Sequence, residues 1–138
     1  MAEMSSAYES PVCVAIVICN DCIEDKRTNN KTLIGLFNAV TVQSVPAVHS
    51  KMVIMASITN AAKTLDVKLI IRAPSGAEVA HIDAPFPTYD PVAAYDIVFE
   101  INGMVINEPG TYNVDLMCDG SYLAGRRFDV IMTSPATN

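Results

Sequence analysis

Apolar and polar positions alternate with a period of two through much of the chain. Tyr112, Val114, Leu116 and Cys118 alternate with Thr111, Asn113, Asp115 and Met117. Leu65, Val67, Leu69 and Ile71 do the same against Asp66, Lys68, Ile70 and Arg72, and Tyr95, Ile97, Phe99 and Ile101 against Asp96, Val98 and Glu100. Period two puts successive side chains on opposite faces, so each run reads as a half-buried strand. Val12 to Cys19 and Met52 to Thr59 are instead nearly continuous apolar runs. The first reads as a central strand covered on both faces. No long stretch carries helical periodicity.

Turn signals punctuate these runs. Pro109-Gly110, Asp119-Gly120 and Pro74-Ser75-Gly76 are turn sequences, and Thr28-Asn29-Asn30-Lys31 reads as a hairpin tip, since asparagine tolerates positive φ. Thr32 to Val42 then returns as one strand, and Gly35 within it predicts a bulge or a close backbone approach. Ala84 to Pro91 contains three prolines, which lack the ladder donor. It reads as a crossover or recognition loop carrying Phe86 and Tyr89. Tyr95 to Ile101, Thr111 to Cys118 and Arg127 to Met132 predict a three-strand meander. Tyr112, two residues after Gly110, is either a tyrosine corner or a plain core aromatic.

The spacing predicts an all-β fold, an antiparallel β-sandwich of about eight strands, immunoglobulin-like or related. The 138 residues suit one domain over 11–132, between a flexible segment 1–10 and a flexible tail 133–138. Formal net charge is −6, which argues against a nucleic-acid backbone or an anionic membrane as partner. The start lacks the basic and apolar stretches of a secretory signal, so the expected location is the cytoplasm, with the four cysteines reduced.

Candidate chemistry is sparse. Cys19-Asn20-Asp21-Cys22 is the one cysteine pair at motif spacing, and His49 and His81 are the only histidines. Together they are the candidate ligands for a zinc site, which needs four. Buried, inert thiols are the preferred reading, because the pair falls at a strand end and not at a helix N-terminus. Loop carboxylates (Asp21, Glu24, Asp25, Asp83, Asp90, Asp96, Asp119) raise a calcium alternative, although their spacing matches no EF-hand loop. There is no Gly-x-Ser-x-Gly elbow and no phosphate-binding glycine loop, so no catalytic residue and no cofactor is expected. A hydrolase with a scattered site is the remotest option.

Four segments, in this order along the chain, resemble a known family: Cys19-Asn20-Asp21, Lys31-Thr32-Leu33-Ile34-Gly35-Leu36-Phe37, Pro46-Ala47-Val48-His49 and Glu108-Pro109-Gly110-Thr111-Tyr112. They are similar to an uncharacterised family of small bacterial β-sandwich proteins. The resemblance implies a compact sandwich and no activity, and it carries over no functional residues. Cys13, Cys22 and Cys118 fall outside its pattern.

The function expected from the sequence is a non-enzymatic protein-interaction or structural module. Phe86 and Tyr89 are its candidate binding loop, and its partner is another protein or a second copy. Met55, Ile70, Met117 and Ile131 read as apolar residues facing outward, which fits self-association. A zinc- or calcium-binding domain is the alternative.

Overall fold

A computed structural model describes residues 10–133. The flexible ends expected over 1–10 and 133–138 lie, but for Ser10 and Thr133, outside the described residues. Nine strands form in order: β1 (Val12–Glu24), β2 (Lys31–Leu36), β3 (Ala39–Val42), β4 (Ala47–Thr59), β5 (Thr64–Arg72), β6 (Glu78–Pro87), β7 (Tyr95–Ile106), β8 (Gly110–Cys118) and β9 (Ser121–Met132). They build a four-stranded sheet, β2-β1-β4-β7, and a five-stranded sheet, β3-β9-β8-β5-β6. The protein is an antiparallel β-sandwich, apart from the parallel pair β3–β9.

The period-two runs supply the core. Leu65, Val67, Leu69 and Ile71 from β5 and Tyr112, Val114, Leu116 and Cys118 from β8 face Ile18, Met52, Ile54, Ala56, Ile58, Ile97, Phe99 and Ile101 across the sandwich. The predicted turns hold. Asn29 and Asp119 take positive φ, as does Gly120, and the β1–β2, β5–β6 and β8–β9 hairpins all form.

Three strand expectations are corrected. The single run Thr32–Val42 is two strands, because the chain leaves one sheet and joins the other at Phe37-Asn38. The crossing is pinned where Phe37 N–H donates to the Ile18 carbonyl (3.1 Å) and Asn38 accepts from Arg126 (2.6 Å). The three-strand meander does not form. β8 and β9 pair, but β7 lies in the opposite sheet beside β4. Alternation reports which face of a strand is buried but not which sheet the strand joins. Finally, Ala84–Pro87 is strand, not loop. It completes β6 at a sheet edge, where Pro85 and Pro87 direct their missing donors away from β5.

Because β7 and β8 belong to different sheets, their connection crosses the sandwich, and the tyrosine corner sits there. Tyr112 is fully buried, stacks on Phe128 (5.2 Å between centroids, 23° between planes) and donates its hydroxyl to the Glu108 carbonyl at 2.7 Å. Gly110 just before it has φ +126°, and a Cβ there would press on Pro74.

Candidate interaction surface

The β1–β4 ladder ends at Cys19 opposite Val53, while β1 continues to Glu24 with β2 as its partner. Gly35 sits at this point with φ +71°, and a Cβ on it would overlap the Asn20 amide. The predicted close approach is therefore real. Beyond it the hairpin bends back over the sheet. Asn29, Asn30, Lys31 and Leu33 share a hollow of about 440 Å³ with Met55 and Asp96. Met55 and Asp96 belong to the outer face, since their strand neighbours Ile54, Ala56 and Ile97 are core residues.

Cys19 and Val53 face each other across the β1–β4 ladder and are buried at 0% and 1% exposure, although neither belongs to the inter-sheet core. A charged chain spans the base of the hairpin. Lys51 Nζ lies 2.9 Å from Asp21 Oδ1 and 3.1 Å from Glu100 Oε1. The bond from Lys51 holds the Asp21 carboxyl below its ordinary range, and the Cys22 N–H adds to this. Lys51, with help from Asn102, does the same for Glu100, and both carboxylates raise the Lys51 ammonium.

Apolar side chains remain in water on both sides of the hairpin base. Val14 and Leu36 are 58% and 65% exposed, and Val12, Ile23, Ile34 and Val98 are exposed as well. This corrects the reading of Val12–Cys19 as a strand covered on both faces. Among the described residues its first half has no strand partner on the β2 side, because the β1–β2 pairing begins only at Cys19. Arg126 from β9 closes part of that opening by donating to the Ile16 carbonyl at 3.1 Å.

The five-stranded sheet presents a different outer face. Arg72 bonds Asp115 at 2.8 Å, Lys68 reaches Asp83 at 4.0 Å, and His81 lies 3.2 Å from Asp83 and 3.5 Å from Glu78. Ile70, expected to face outward, does so but is only 8% exposed. Its cross-strand neighbours are His81 and Asp115, and their long or paired side chains lie beside it. Of the expected outward patch, Met55 lies on the other sheet, Met117 is half-buried, and Ile131 alone is exposed.

The remaining candidates are dispersed. Cys19 and Cys22 are three positions apart in one strand, an odd spacing, and the structure gives them separate surroundings: Cys19 donates to the Asp21 carbonyl, while Cys22 is half-buried near Lys31. Burial pushes both thiols up, and Cys13 likewise, and it pushes Cys118 up to about 11. These are weak nucleophiles at neutral pH. His49 is half-buried against Phe37 (5.8 Å), and its Nε2 has no hydrogen-bond partner among the described residues. His81 lies on the outer face of the other sheet. Among the described residues no three Cys, His, Asp or Glu side chains gather as a metal site would require.

The proposed binding loop divides at Phe86. That ring turns inward, packs on the core and meets Tyr95 edge-on at 6.1 Å. Tyr89 is 78% exposed at the β6–β7 connection. The Tyr95 hydroxyl accepts the N–H groups of Tyr89 and Asp90 at 2.9 and 2.8 Å, which orders the backbone under Tyr89. Sequence reasoning missed this support, which was visible only as a tyrosine that begins a strand after the prolines.

These features define the class: an immunoglobulin-like β-sandwich whose exposed apolar residues lie mostly on one sheet. A model of a family of unknown function, DUF6941, matches residues 14–131, and the chain belongs to that family. No curated protein matches. Among solved structures, the chain is similar to the alkylpurine DNA glycosylase AlkC of Pseudomonas fluorescens, bound to DNA containing an abasic-site analogue. The TM-score is 0.56 at 12% identity, over 88% of this chain and 30% of that one, so the chain spans less than a third of the glycosylase. The likeness shows the fold alone. An immunoglobulin-like protein from Pseudomonas aeruginosa (TM-score 0.43, 12% identity, 87% of this chain and 95% of that one) and a β-glucosidase from Erythrobacter marinus (0.40, 13%, 85% and 15%) are more distant in structure. No helix among the described residues is long and apolar enough to cross a membrane.

Proposed function

We propose that this domain is a non-enzymatic protein-interaction module that docks a protein on its four-stranded side. One contrast carries the reading: Val14 and Leu36 on the β1–β2 side of the four-stranded sheet and Val98 on β7, at its other edge, stand in water, whereas Ile70 on the opposite sheet is covered by its neighbours. Exposed apolar residues on a sheet lose hydration cost when a partner covers them. Four free thiols, all with raised pKa, fit a cytoplasmic, reducing setting. The net charge of −6 favours a protein partner over nucleic acid.

The test places a photo-crosslinking amino acid at Val14 in one variant and at Asn113, on the opposite sheet, in another. Irradiation in the native cell is expected to yield discrete protein adducts from Val14 and none from Asn113. Equal yields from both positions, or none from Val14, would overturn the reading.

A further inference from the structure

The two sheets have four edge strands, and three carry features that discourage pairing. β3 has four residues, β2 has six and is kinked at Gly35, and β6 carries Pro85 and Pro87. Short strands, bends and prolines are how sheets protect their edges. β7 is different. It has twelve residues, no proline, and pairs only with β4, so its other edge leaves a row of backbone donors and acceptors open among the described residues. From Tyr95 to Ile101 its alternation is regular. Ile97, Phe99 and Ile101 face the core, and Asp96, Val98, Glu100 and Asn102 face outward. The regularity ends at Gly103, with φ +67°, beyond which Met104 and Ile106 become the buried positions.

We infer that this edge pairs with a second copy of the chain, β7 against β7 antiparallel about a two-fold axis at Phe99, giving one continuous eight-stranded sheet. The inference rests on the interaction reading and names the partner for the Val98 side of the sheet, with Val14 and Leu36 on the β1–β2 side lying outside the seam. Symmetry and charge select the register. A two-fold axis perpendicular to the sheet must pass through a residue, because opposed side chains share a face. An axis at Val98 sets Asp96 against the partner's Glu100, and an axis at Glu100 sets two glutamates against each other. Like charges directly opposed disfavour both. An axis at Ile101 carries the pairing across the Gly103 kink, where the faces no longer match. An axis at Ile97 pairs only the start of the strand. The axis at Phe99 uses the whole regular stretch. It sets Asp96 against the partner's Asn102, Val98 against the partner's Glu100, and Ile97 against the partner's Ile101. Glu100 is already held by Lys51 at 3.1 Å, so its stem can lie over Val98 while its charge stays paired. The exposed Val98 side chains are then covered across the new seam.

The register is tested by disulfide trapping. In the double variant Asp96→Cys, Asn102→Cys, the new thiols of one chain lie six residues apart along a strand, roughly 20 Å, too far to join within a copy. Across the dimer they stand opposite each other. Mild oxidation is expected to give a covalent dimer on non-reducing gels from the double variant, and none from either single variant or the unaltered protein. Light scattering after size exclusion is expected to show twice the chain mass for the unaltered protein. Val98→Glu, which opposes Glu100 of the partner at two symmetric places, is expected to weaken the dimer roughly tenfold. Val98→Lys, which opposes it with the opposite charge, is expected to keep the dimer. A monomer at high concentration, no trapping in the double variant, or equal loss from Val98→Glu and Val98→Lys would each overturn the inference. If the protein is monomeric while Val14 still yields adducts, the partner is another protein and only the dimer falls.

Discussion

Val53 on the four-stranded sheet and Ile70 on the five-stranded sheet are both apolar residues on an outer face, and both are nearly excluded from water. They are covered by different means. Ile70 is shielded within its own sheet by the neighbours His81 and Asp115 and by the Arg72–Asp115 pair. Val53 lies between Cys19 and Glu100 in the sheet, and the β1–β2 hairpin, which bends back from Gly35, reaches Met55 two residues along the same face. Cover by charged neighbours produces a finished surface. The four-stranded side leaves Val14, Leu36 and Val98 exposed. The four-stranded side therefore has more apolar area left to bury, since on the five-stranded sheet the exposed large apolar residues are Tyr122, Ile131 and Met132 of β9.

The largest expected effect breaks this comparison directly. Val53→Asp places a carboxylate at a buried position with no designed partner, and the expected cost is about 3–5 kcal/mol of unfolding free energy. Ile70→Asp places its carboxylate on the outer face opposite His81 and two residues from Arg72, and is expected to cost about 1–2 kcal/mol. Urea unfolding of both variants reads the difference. Equal losses would mean that Val53 is sealed no better than Ile70.

Arg126 comes next, because it joins the two sheets beside the stretch of β1 that precedes its pairing with β2. Its guanidinium donates to the Ile16 carbonyl and the Asn38 side chain. Arg126→Leu leaves both acceptors without that donor and is expected to cost about 1–3 kcal/mol. Amide exchange should also rise at the Phe37-Asn38 crossing more than in β5 or β8. Arg72→Met, which removes one partly exposed ion pair from the opposite face, is expected to cost less than about 1 kcal/mol.

Much of this architecture was legible from residue order. Tyr112, Val114, Leu116 and Cys118 declared their buried face by alternation, Asp119-Gly120 its turn, and Tyr112 one of two roles that the Glu108 bond decides. What alternation omits is partnership. It could not place β7 beside β4, nor show that Thr32–Val42 changes sheets, because both facts depend on contacts distant in sequence. Composition misled at the prolines, since Pro85 and Pro87 fit an edge strand as well as a loop. The candidate surface was harder to read. The expected outward patch named Met55, Ile70, Met117 and Ile131, of which Ile131 is exposed, while at Ile70 the cross-strand neighbours decide exposure. Val14, which is exposed, sat inside a run that looked uniformly buried.

The smallest expected effect sharpens the comparison through pH. Asp21 and Glu100 share Lys51 at the base of the hairpin, and both carboxyls are held below their ordinary range. A carboxyl whose folded pKa is depressed binds protons more tightly when unfolded. Its contribution is therefore complete above the unfolded pKa, roughly 4, and is lost as pH falls through the folded value. Acidification from pH 5 to pH 3 should loosen the hairpin base and leave neutral-pH behaviour unchanged. Lys51→Met removes the common partner of both carboxylates, so part of the acid-limb slope in a stability-versus-pH curve should disappear. The groups are solvent-accessible, so added salt should shrink the same part of the slope in the unaltered protein. On the opposite sheet Arg72 and Asp115 form a comparable pair, but among the described residues no second carboxylate shares that cation. Arg72→Met is accordingly expected to change the acid limb less than Lys51→Met does. A larger change from Arg72→Met would place the acid-sensitive element on the five-stranded face and remove the hairpin base from that role.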